Sequence, residues 1–358
     1  MPQLEEGTTA SDFVENTTGS PKFIASATYG PRVPMILVEP SATNLVAYSE
    51  DFSDEQWLKN NYGTGVVPTV NSDVAISPDG TQNADKVIFD VGSGTTTGDS
   101  VTLEDYISVT QGETYTFSVY LKGEQGGEQV LVRHAGSAGY TTLTLTDEWV
   151  KYEVTETAIY NYAYVSLSLR QGLGGVIINP TATFYIWGAQ LETGSVATSY
   201  IPTTSGSTVT RAKDDLEITG SDFTDFFNAS EGTTYVEFTP DSDINIPHIF
   251  EYYDASNSNS RMGAYLTTGK ISYYVVAAAD ADEEMGNINI GSLNRFAVSY
   301  KLNDMLGSLN GASEVPETTV TMPTGIDNLQ IGNDSTQTYS TTGRYRRIIY
   351  WPYHSDSL

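Results

Sequence analysis

The sequence predicts an all-β protein made of two tandem β-sandwich (jelly-roll) domains with a short N-terminal arm. The chain of 358 residues contains 24 tyrosines and 32 glycines, a composition that favours strands joined by tight turns. No segment keeps a helical period for longer than about two turns. Short alternating stretches bounded by turn residues recur along the chain, as they do in sandwiches, and the length exceeds that of most single domains.

The domain boundaries follow from local changes in composition. Residues 1–28 are rich in Thr, Ser and Glu and predict a flexible arm, which could anchor the chain to a partner. We assign residues 29–212 to the first domain, because the apolar stretch Tyr185-Ile186-Trp187 is followed by a Ser/Thr tract that ends near Arg211. Residues 213–358 form the second domain. Within it, residues 280–284 (DADEE) predict an exposed acidic loop.

The charge and the missing residue types exclude several classes of function. The formal net charge is −28, and so acidic a chain is a poor partner for nucleic acid or anionic lipid. Since there is no cysteine, disulfides and thiolate chemistry are excluded. The start of the sequence shows no signal-peptide pattern, and no stretch approaches about 18 apolar residues. We therefore expect synthesis in the cytoplasm and no membrane insertion.

The sequence offers no catalytic candidate. His134, His248 and His354 lie far apart and lack the spacing of zinc ligands. No nucleophile elbow, P-loop or dinucleotide fingerprint is present. Glycoside hydrolysis needs two carboxylates, but among 45 acidic residues no pair stands out, and the Glu-x-Asp-x-x-Glu strand motif is absent. The expectation is a protein that is not an enzyme, with no catalytic residues.

One strand, residues 160–170, carries the candidate ligand-binding residues. Its alternation places Ala163 and Val165 on one face, which suits the core, and Tyr160, Tyr162 and Tyr164 on the other. A row of tyrosines can stack on the C–H face of a sugar ring. The alternative is that these rings pack against neighbouring strands in a second layer.

Three carboxylates are candidate calcium ligands. Glu50, Asp51 and Glu192 flank the first and last strands of the first domain, and such terminal strands can lie side by side in a jelly roll. Oxygen ligands of this kind suit calcium. The alternative is that all three are solvated turn residues, so the cofactor expectation is either none or a structural calcium ion.

Several segments, taken in order, resemble modules of bacteriophage tail-fibre or appendage proteins and of other virion-surface proteins, such as head-decoration proteins. They are LVEPSATNLVAYSEDFSDEQW, SPDGTQNADKV, GETYTFSVYLKG, DEWVKYEV and FYIWGAQLETGSVATSYIPT, completed by TRAKD. Such modules are similar to carbohydrate-binding jelly rolls. The closing part of the chain, with RFAVSYKLNDMLGSLNGA and GRYRRIIYWPYHSDSL, resembles concanavalin A-like and laminin G-like sandwiches.

These resemblances imply a function and a location. They imply a non-enzymatic structural protein displayed on the virion surface, joined to other virion proteins through the arm and adhering to cell-surface glycans. A homo-oligomer, for example a trimer, fits repeated assembly on a particle. Two alternatives stay open: an architectural capsid-decoration or head-fibre protein, and a polysaccharide depolymerase.

Overall fold

The computed structural model describes residues 22–23, 35–134, 139–170, 179–204, 206–242, 246–277, 281–313, 316–356 and 358. Apart from one short helix, the regular structure of these residues is β, and every strand pair is antiparallel, so the all-β prediction is confirmed. None of the described helices has the length and hydropathy that a membrane span requires. Two compact units are present, Ala42–Arg211 and a second unit made of Met1–Ser41 with Ala212–Leu358.

The strands of the unit Ala42–Arg211 follow two short strands, β1 (Lys22–Phe23) and β2 (Ile36–Val38). They are β3 (Ala42–Asn44), β4 (Leu58–Tyr62), β5 (Val66–Ala75), β6 (Ala84–Asp90), β7 (Ser100–Ser108), β8 (Thr114–Gly123), β9 (Gln129–Arg133), β10 (Thr141–Thr144), β11 (Val150–Thr157), β12 (Tyr162–Arg170), β13 (Thr181–Thr193) and β14 (Val209–Arg211). They form two five-stranded sheets, β10-β9-β12-β7-β4 and β11-β8-β13-β6-β5, and a ribbon of β14 with β3.

The core of this unit comes from strand alternation. Ala163, Val165 and Leu167 of β12 are fully buried, and they share a cluster with Phe117 of the second sheet. Because successive strand residues point to opposite faces, the residues between them on β12 point away from the core. This alternation positions the candidate site on the outer face of the first sheet.

The second unit is also a sandwich. It continues with β15 (Leu216–Thr219), the helix α1 (Ser221–Thr224), β16 (Glu231–Pro240), β17 (His248–Asp254), β18 (Asn257–Thr267), β19 (Lys270–Val276), β20 (Ala281–Asn287), β21 (Asn294–Lys301), β22 (Asp304–Leu309), β23 (Ala312–Ser313), β24 (Asn328–Ile331) and β25 (Gly343–Trp351). Its sheets are β1-β2-β25-β16-β21-β22-β23 and β15-β24-β17-β18-β19-β20. Residues such as Phe238, Tyr273 and Phe296 fill its core.

The observed units differ from the predicted boundaries at the N-terminal side. Strand β2 pairs with β25, with Ile36 opposite Tyr345, so residues 35–41 belong with the C-terminal unit. The first sandwich therefore starts at Ala42 and not at residue 29. The predicted arm, residues 1–28, lies outside the described residues except for Lys22 and Phe23, which pair with β2.

The acidic run that we predicted as a loop is largely a strand. Residues 281–287 form β20, which lies at the edge of the six-stranded sheet, while Asp280 lies outside the described residues. Two cross-strand contacts hold it: Lys270 Nζ lies 2.6 Å from a Glu284 oxygen, and the Tyr265 hydroxyl donates to Asp282 at 2.7 Å. Charges on an edge strand discourage pairing with other chains, which accounts for acidic residues in a strand.

Candidate functional site

The predicted tyrosine row lies on the outer face of the first sheet of the unit Ala42–Arg211. Tyr162 and Tyr164 belong to β12, and Tyr160 precedes it. Tyr160 is 49% exposed, and the other two side chains are partly buried. The placement of these residues agrees with the predicted alternation, whereas glycan binding by them stays a prediction.

A fourth tyrosine, which the sequence analysis missed, completes the group. Tyr106 of β7 lies opposite Tyr164 in the register and is 47% exposed. Its ring centroid lies 5.2 Å from those of both Tyr162 and Tyr164, and the rings of Tyr160 and Tyr162 stack at 5.2 Å. We call these four residues the tyrosine cluster. Each ring limits the movement of its neighbours, so the cluster offers a preformed aromatic surface to a ligand.

A row of polar side chains continues from the tyrosine cluster along the same face. We call it the polar row: Ser166 and Ser168 on β12, with Glu104 and Thr102 opposite them on β7. All four residues are at most 8% exposed. Asn60 of β4 donates to Glu104 at 3.0 Å, but the hydroxyls of Ser166, Ser168 and Thr102 have no hydrogen-bond partner among the described residues. Buried hydroxyls without partners are uncommon, because their desolvation is then not compensated.

Arg133 lies on the other side of the polar row. It ends β9, next to Ser166 in the register. Its guanidinium carbon lies 5.0 Å from the ring centroid of Tyr140 and 5.6 Å from that of Tyr164, within the range of cation–π contacts. Its Nε atom is buried without a hydrogen-bond partner, and no described carboxylate forms an ion pair with it.

The charges around Tyr164 are therefore of both signs. Burial raises the pKa of the Tyr164 phenol, the nearby Glu104 carboxylate adds to this effect, and Arg133 opposes it. The phenol is neutral at neutral pH. The face as a whole combines aromatic rings, hydroxyls, one carboxylate and one guanidinium, which are the groups that sugar recognition uses.

Among the described residues, the ligand atoms of Glu50, Asp51 and Glu192 do not form a group within 4.8 Å of one another. Glu192 is 1% exposed, and its oxygens accept hydrogen bonds from Gln190 Nε2 at 2.5 Å, from the Thr198 backbone N–H at 3.0 Å and from the Thr198 hydroxyl at 2.5 Å. Burial raises the pKa of Glu192, and these donors oppose the rise. Donors therefore occupy the positions that a cation would take.

Glu50 and Asp51 have other partners. Glu50 accepts hydrogen bonds from the Tyr200 hydroxyl and from Asn83 Nδ2, both at 2.9 Å. Asp51 lies in an exposed turn and accepts from the Ser53 backbone N–H at 3.0 Å. The calcium assignment stays a prediction, and these contacts give it no support.

Chelation tests the calcium assignment directly. We expect that EDTA leaves the thermal unfolding midpoint of the full chain unchanged, because protein donors already satisfy Glu192. Differential scanning calorimetry with EDTA, and again with excess CaCl₂, measures this. A midpoint that falls with EDTA and recovers with calcium would contradict the expectation.

Asn44, which lies in the segment LVEPSATNLVAYSEDFSDEQW quoted above, instead forms a buried hydrogen-bond network in the first sandwich. Asn44 is fully buried and its Nδ2 donates to the backbone oxygens of Ala189 at 3.1 Å and Ile201 at 2.9 Å. Its Oδ1 accepts from the backbone N–H groups of Val46 at 3.0 Å and Leu191 at 3.2 Å. The side chain thus ties the entry of the chain to its exit, so this part of the motif has a structural role.

The second unit contains a buried carboxylate that could be mistaken for a catalytic acid. Glu251 is 1% exposed and accepts a hydrogen bond from the Tyr274 hydroxyl at 2.6 Å. The Ser335 backbone N–H donates to its other oxygen, and Arg261 Nε lies at 3.4 Å. Because both oxygens have donors, the arrangement favours a structural role.

A second group in this unit has metal-ligand chemistry. Single ligand atoms of Asp304, His354 and Asp356 lie within 4.8 Å of one another. However, Lys301 Nζ lies 3.0 Å from an Asp304 oxygen and 3.2 Å from both His354 Nδ1 and an Asp356 oxygen. The ammonium group supplies the positive charge that these acceptors require.

This unit also has a cleft of about 630 Å³ on the outer face of its seven-stranded sheet. Trp351, Tyr353 and Arg295 are among the residues that line it. Arg295 Nε lies 3.4 Å from an oxygen of Glu237, so its charge is already compensated. In this respect Arg295 differs from Arg133.

Comparisons with known proteins find similarities to solved structures. No family model and no curated protein matches the sequence. Among solved structures, the chain is similar to the Ruminococcus gnavus IT-sialidase CBM40 bound to α2,3-sialyllactose, with 14% identity over 40% of this chain and 92% of that one and a TM-score of 0.34.

Two further structures illustrate the range of these similarities. NanB with Optactamide matches at 16% identity over 39% of this chain, with a TM-score of 0.34, and the match spans 25% of that chain. Domains LG4-5 of the mouse laminin α1 chain match at 11% identity over 68% of this chain and 84% of that one, with a TM-score of 0.30. With such TM-scores these similarities carry no weight for the ligand or activity of this chain.

Proposed function

We propose that the unit Ala42–Arg211 binds saccharides on the outer face of its first sheet, and that the whole chain is a non-enzymatic structural protein of a bacteriophage virion that adheres to glycans. The tyrosine cluster with the adjoining polar row is the observation that carries the binding proposal. The rings of Tyr162 and Tyr164 stand at 81° to each other, so a sugar ring would stack on one of them and lie next to Ser166 and Ser168 along the strand. The hydroxyls of these two serines are buried and lack partners among the described residues.

The same observation favours binding over a purely architectural role. A decoration protein needs a stable surface but no unsatisfied polar groups, whereas a binding site gains affinity by completing hydrogen bonds that the free protein lacks. The depolymerase alternative has less support, because both oxygens of the buried carboxylate Glu251 have donors. Display on the virion and attachment through residues 1–28 rest on the sequence resemblance.

The binding proposal predicts a loss of affinity when the aromatic surface is removed. The double substitution Tyr162→Ala with Tyr164→Ala should weaken glycan binding about 10- to 100-fold, because the two aromatic contacts together contribute about 1.4–2.8 kcal/mol. Screening the full chain on a glycan array, followed by isothermal titration with the best hits, measures this change. Each variant needs an unchanged unfolding midpoint for the comparison to be valid.

A tyrosine on the opposite sheet of the same unit is the matched control. Tyr185 of β13 points away from the core, beside Lys86, and is remote in register from the tyrosine cluster. Tyr185→Ala should leave binding unchanged. Absence of binding by the parent chain to any glycan, or equal binding by the double variant, would sink the proposal. Release of reducing sugar from a bound polysaccharide would show that the chain is an enzyme.

The proposed location is tested separately. Antibody labelling of purified phage particles, viewed by electron microscopy, should place the chain on the tail or on the head surface. Particles without label, in a preparation that contains the protein by mass spectrometry, would contradict surface display.

A further inference from the structure

Arg133 forms no ion pair with a described carboxylate, although the chain is strongly acidic. The chain carries a formal net charge of −28, so a cation has many carboxylates available to it. Arg261 is paired with Glu251 and Arg344 with Asp241. Arg133 has two tyrosine rings beside it and forms no ion pair with a described carboxylate, and it is partly exposed and therefore accessible.

The rings beside Arg133 fix the position of its charge. A guanidinium within cation–π distance of both Tyr140 and Tyr164 loses little further freedom on binding a ligand, because these contacts already restrict it. Its buried Nε has no acceptor among the described residues. An ordered guanidinium without an ion-pair partner suits an anionic ligand that accepts two parallel hydrogen bonds from it.

The register sets what lies next to this charge. Ser166 of β12 pairs with Arg133 of β9 on one side and with Glu104 of β7 on the other. The Cα atoms of Arg133 and Glu104 are thus two strand spacings apart, about 10 Å. Along this row a cation therefore lies on one side, a buried hydroxyl in the middle and a hydrogen-bond acceptor on the other.

We propose that this face selects saccharides that carry a carboxylate, such as uronic or sialic acids, with the ligand carboxylate on the Arg133 guanidinium, a ligand hydroxyl donating to Glu104 and the sugar ring on Tyr164. The inference rests on the glycan-binding function proposed above. A single carboxylate fits this site better than a phosphate, since the Glu104 carboxylate on the same face penalises a second negative charge.

The test compares each acidic ligand with its carboxyl-reduced counterpart. The full chain is screened on an array of neutral, uronic-acid, sialylated, sulfated and phosphorylated oligosaccharides, and the best carboxylate-bearing hits are titrated in both forms. We expect reduction of the carboxyl group to weaken binding at least about tenfold, the effect of one charge-assisted bidentate contact. Arg133→Gln should abolish that difference, and Arg133→Lys should keep part of it.

Arg170 supplies the matched control. It ends β12 beyond the polar row, and its Nε donates to the Thr97 backbone oxygen at 2.6 Å. Arg170→Gln should keep the preference for the carboxylate. Equal binding of the acidic and reduced forms, a preference retained in Arg133→Gln, or stronger binding of sulfated and phosphorylated glycans overturns the proposed selectivity while leaving glycan binding intact. No binding of any glycan overturns both proposals.

Discussion

Replacing Asn44 by alanine is expected to lower the free energy of unfolding of the unit Ala42–Arg211 by about 3–5 kcal/mol. The substitution removes four hydrogen bonds at once. It leaves two backbone carbonyls and two backbone N–H groups without their partner in a fully buried region, and each such group costs about 1–3 kcal/mol when water does not reach it.

Tryptophan fluorescence can follow the unfolding of this unit alone. Three of the four, Trp57, Trp149 and Trp187, lie within Ala42–Arg211, and the fourth is Trp351. In a Trp351→Phe background, denaturation followed by tryptophan fluorescence therefore reports only the first unit. Asn61→Ala is the control, because Asn61 is exposed and makes one side-chain bond, to the Gly65 oxygen at 2.7 Å. Its effect should stay within about 0.5 kcal/mol. A similar small effect for Asn44→Ala would show that the network does not stabilise the unit.

His134 is expected to make the same unit sensitive to acid. The side chain is fully buried near Phe117, and neither ring nitrogen has a partner with hydrogen-bond geometry among the described residues. Burial lowers the pKa of His134 to about 4, and a contact with the Val154 backbone opposes this only in part. In the unfolded chain the pKa is about 6.5.

The direction of the pH effect follows from these two values. Between pH 6.5 and about pH 4, this histidine is protonated in the unfolded chain but stays neutral in the folded unit. The stabilising contribution is thus fully present above pH 6.5 and is lost as the pH falls to 4, for a total of about 3 kcal/mol. His134→Leu should remove this loss.

The measurement is a difference between parent and variant. Burial raises the pKa of Asp85 to about 6, so this carboxyl takes up a proton in the folded unit and changes stability in the opposite sense between about pH 6 and 4. The free energy of unfolding of each protein is therefore measured from pH 7 to 4, and the variant curve is subtracted from the parent curve. A flat difference would show that His134 can be protonated inside the folded unit.

The strands with regular alternation could be predicted from the sequence. In β12, apolar residues at every second position needed a core face, and the structure gives Ala163, Val165 and Leu167 that face. Such a pattern is local, since each strand carries the information about its own two faces.

Pairing partners and edge strands could not be predicted in this way. The triplet Ile36-Leu37-Val38 is equally suitable for either sandwich, and its partner β25 starts about 300 residues later in the chain. The acidic residues of β20 have low strand propensity, and its position at a sheet edge, where charge is favourable, depends on the complete sheet.

The candidate site was predictable only along one strand. Tyr160, Tyr162 and Tyr164 share a face by alternation, whereas Tyr106 and Arg133 join them through the register of three strands. The spacing of these residues in the sequence does not determine that register. A signal was present in Tyr106 itself, a large aromatic residue in a strand where Val101, Leu103 and Ile107 mark the opposite face.

The calcium hypothesis considered that the three carboxylates could lie close together, but it did not consider the hydrogen-bond donors around them. Glu192 does return near the beginning of the domain, but Gln190 and Thr198, on either side of it in the sequence, supply hydrogen bonds to both its oxygens. The number of carboxylates gives the negative charge of the chain, but it does not show which carboxylates already accept hydrogen bonds from the protein.

The chain leaves and rejoins the C-terminal sandwich at neighbouring points. Ala42 lies opposite Arg211 in the β3–β14 ribbon, and just outside it the backbone N–H of Asp214 donates to the Glu39 oxygen at 2.9 Å. A segment with adjacent ends can be exchanged by recombination as a cassette, without altering β2 or β15 of the host fold. Ligand preference could then diversify in evolution by replacement of one module, while the fold that receives it keeps its sequence and its partners.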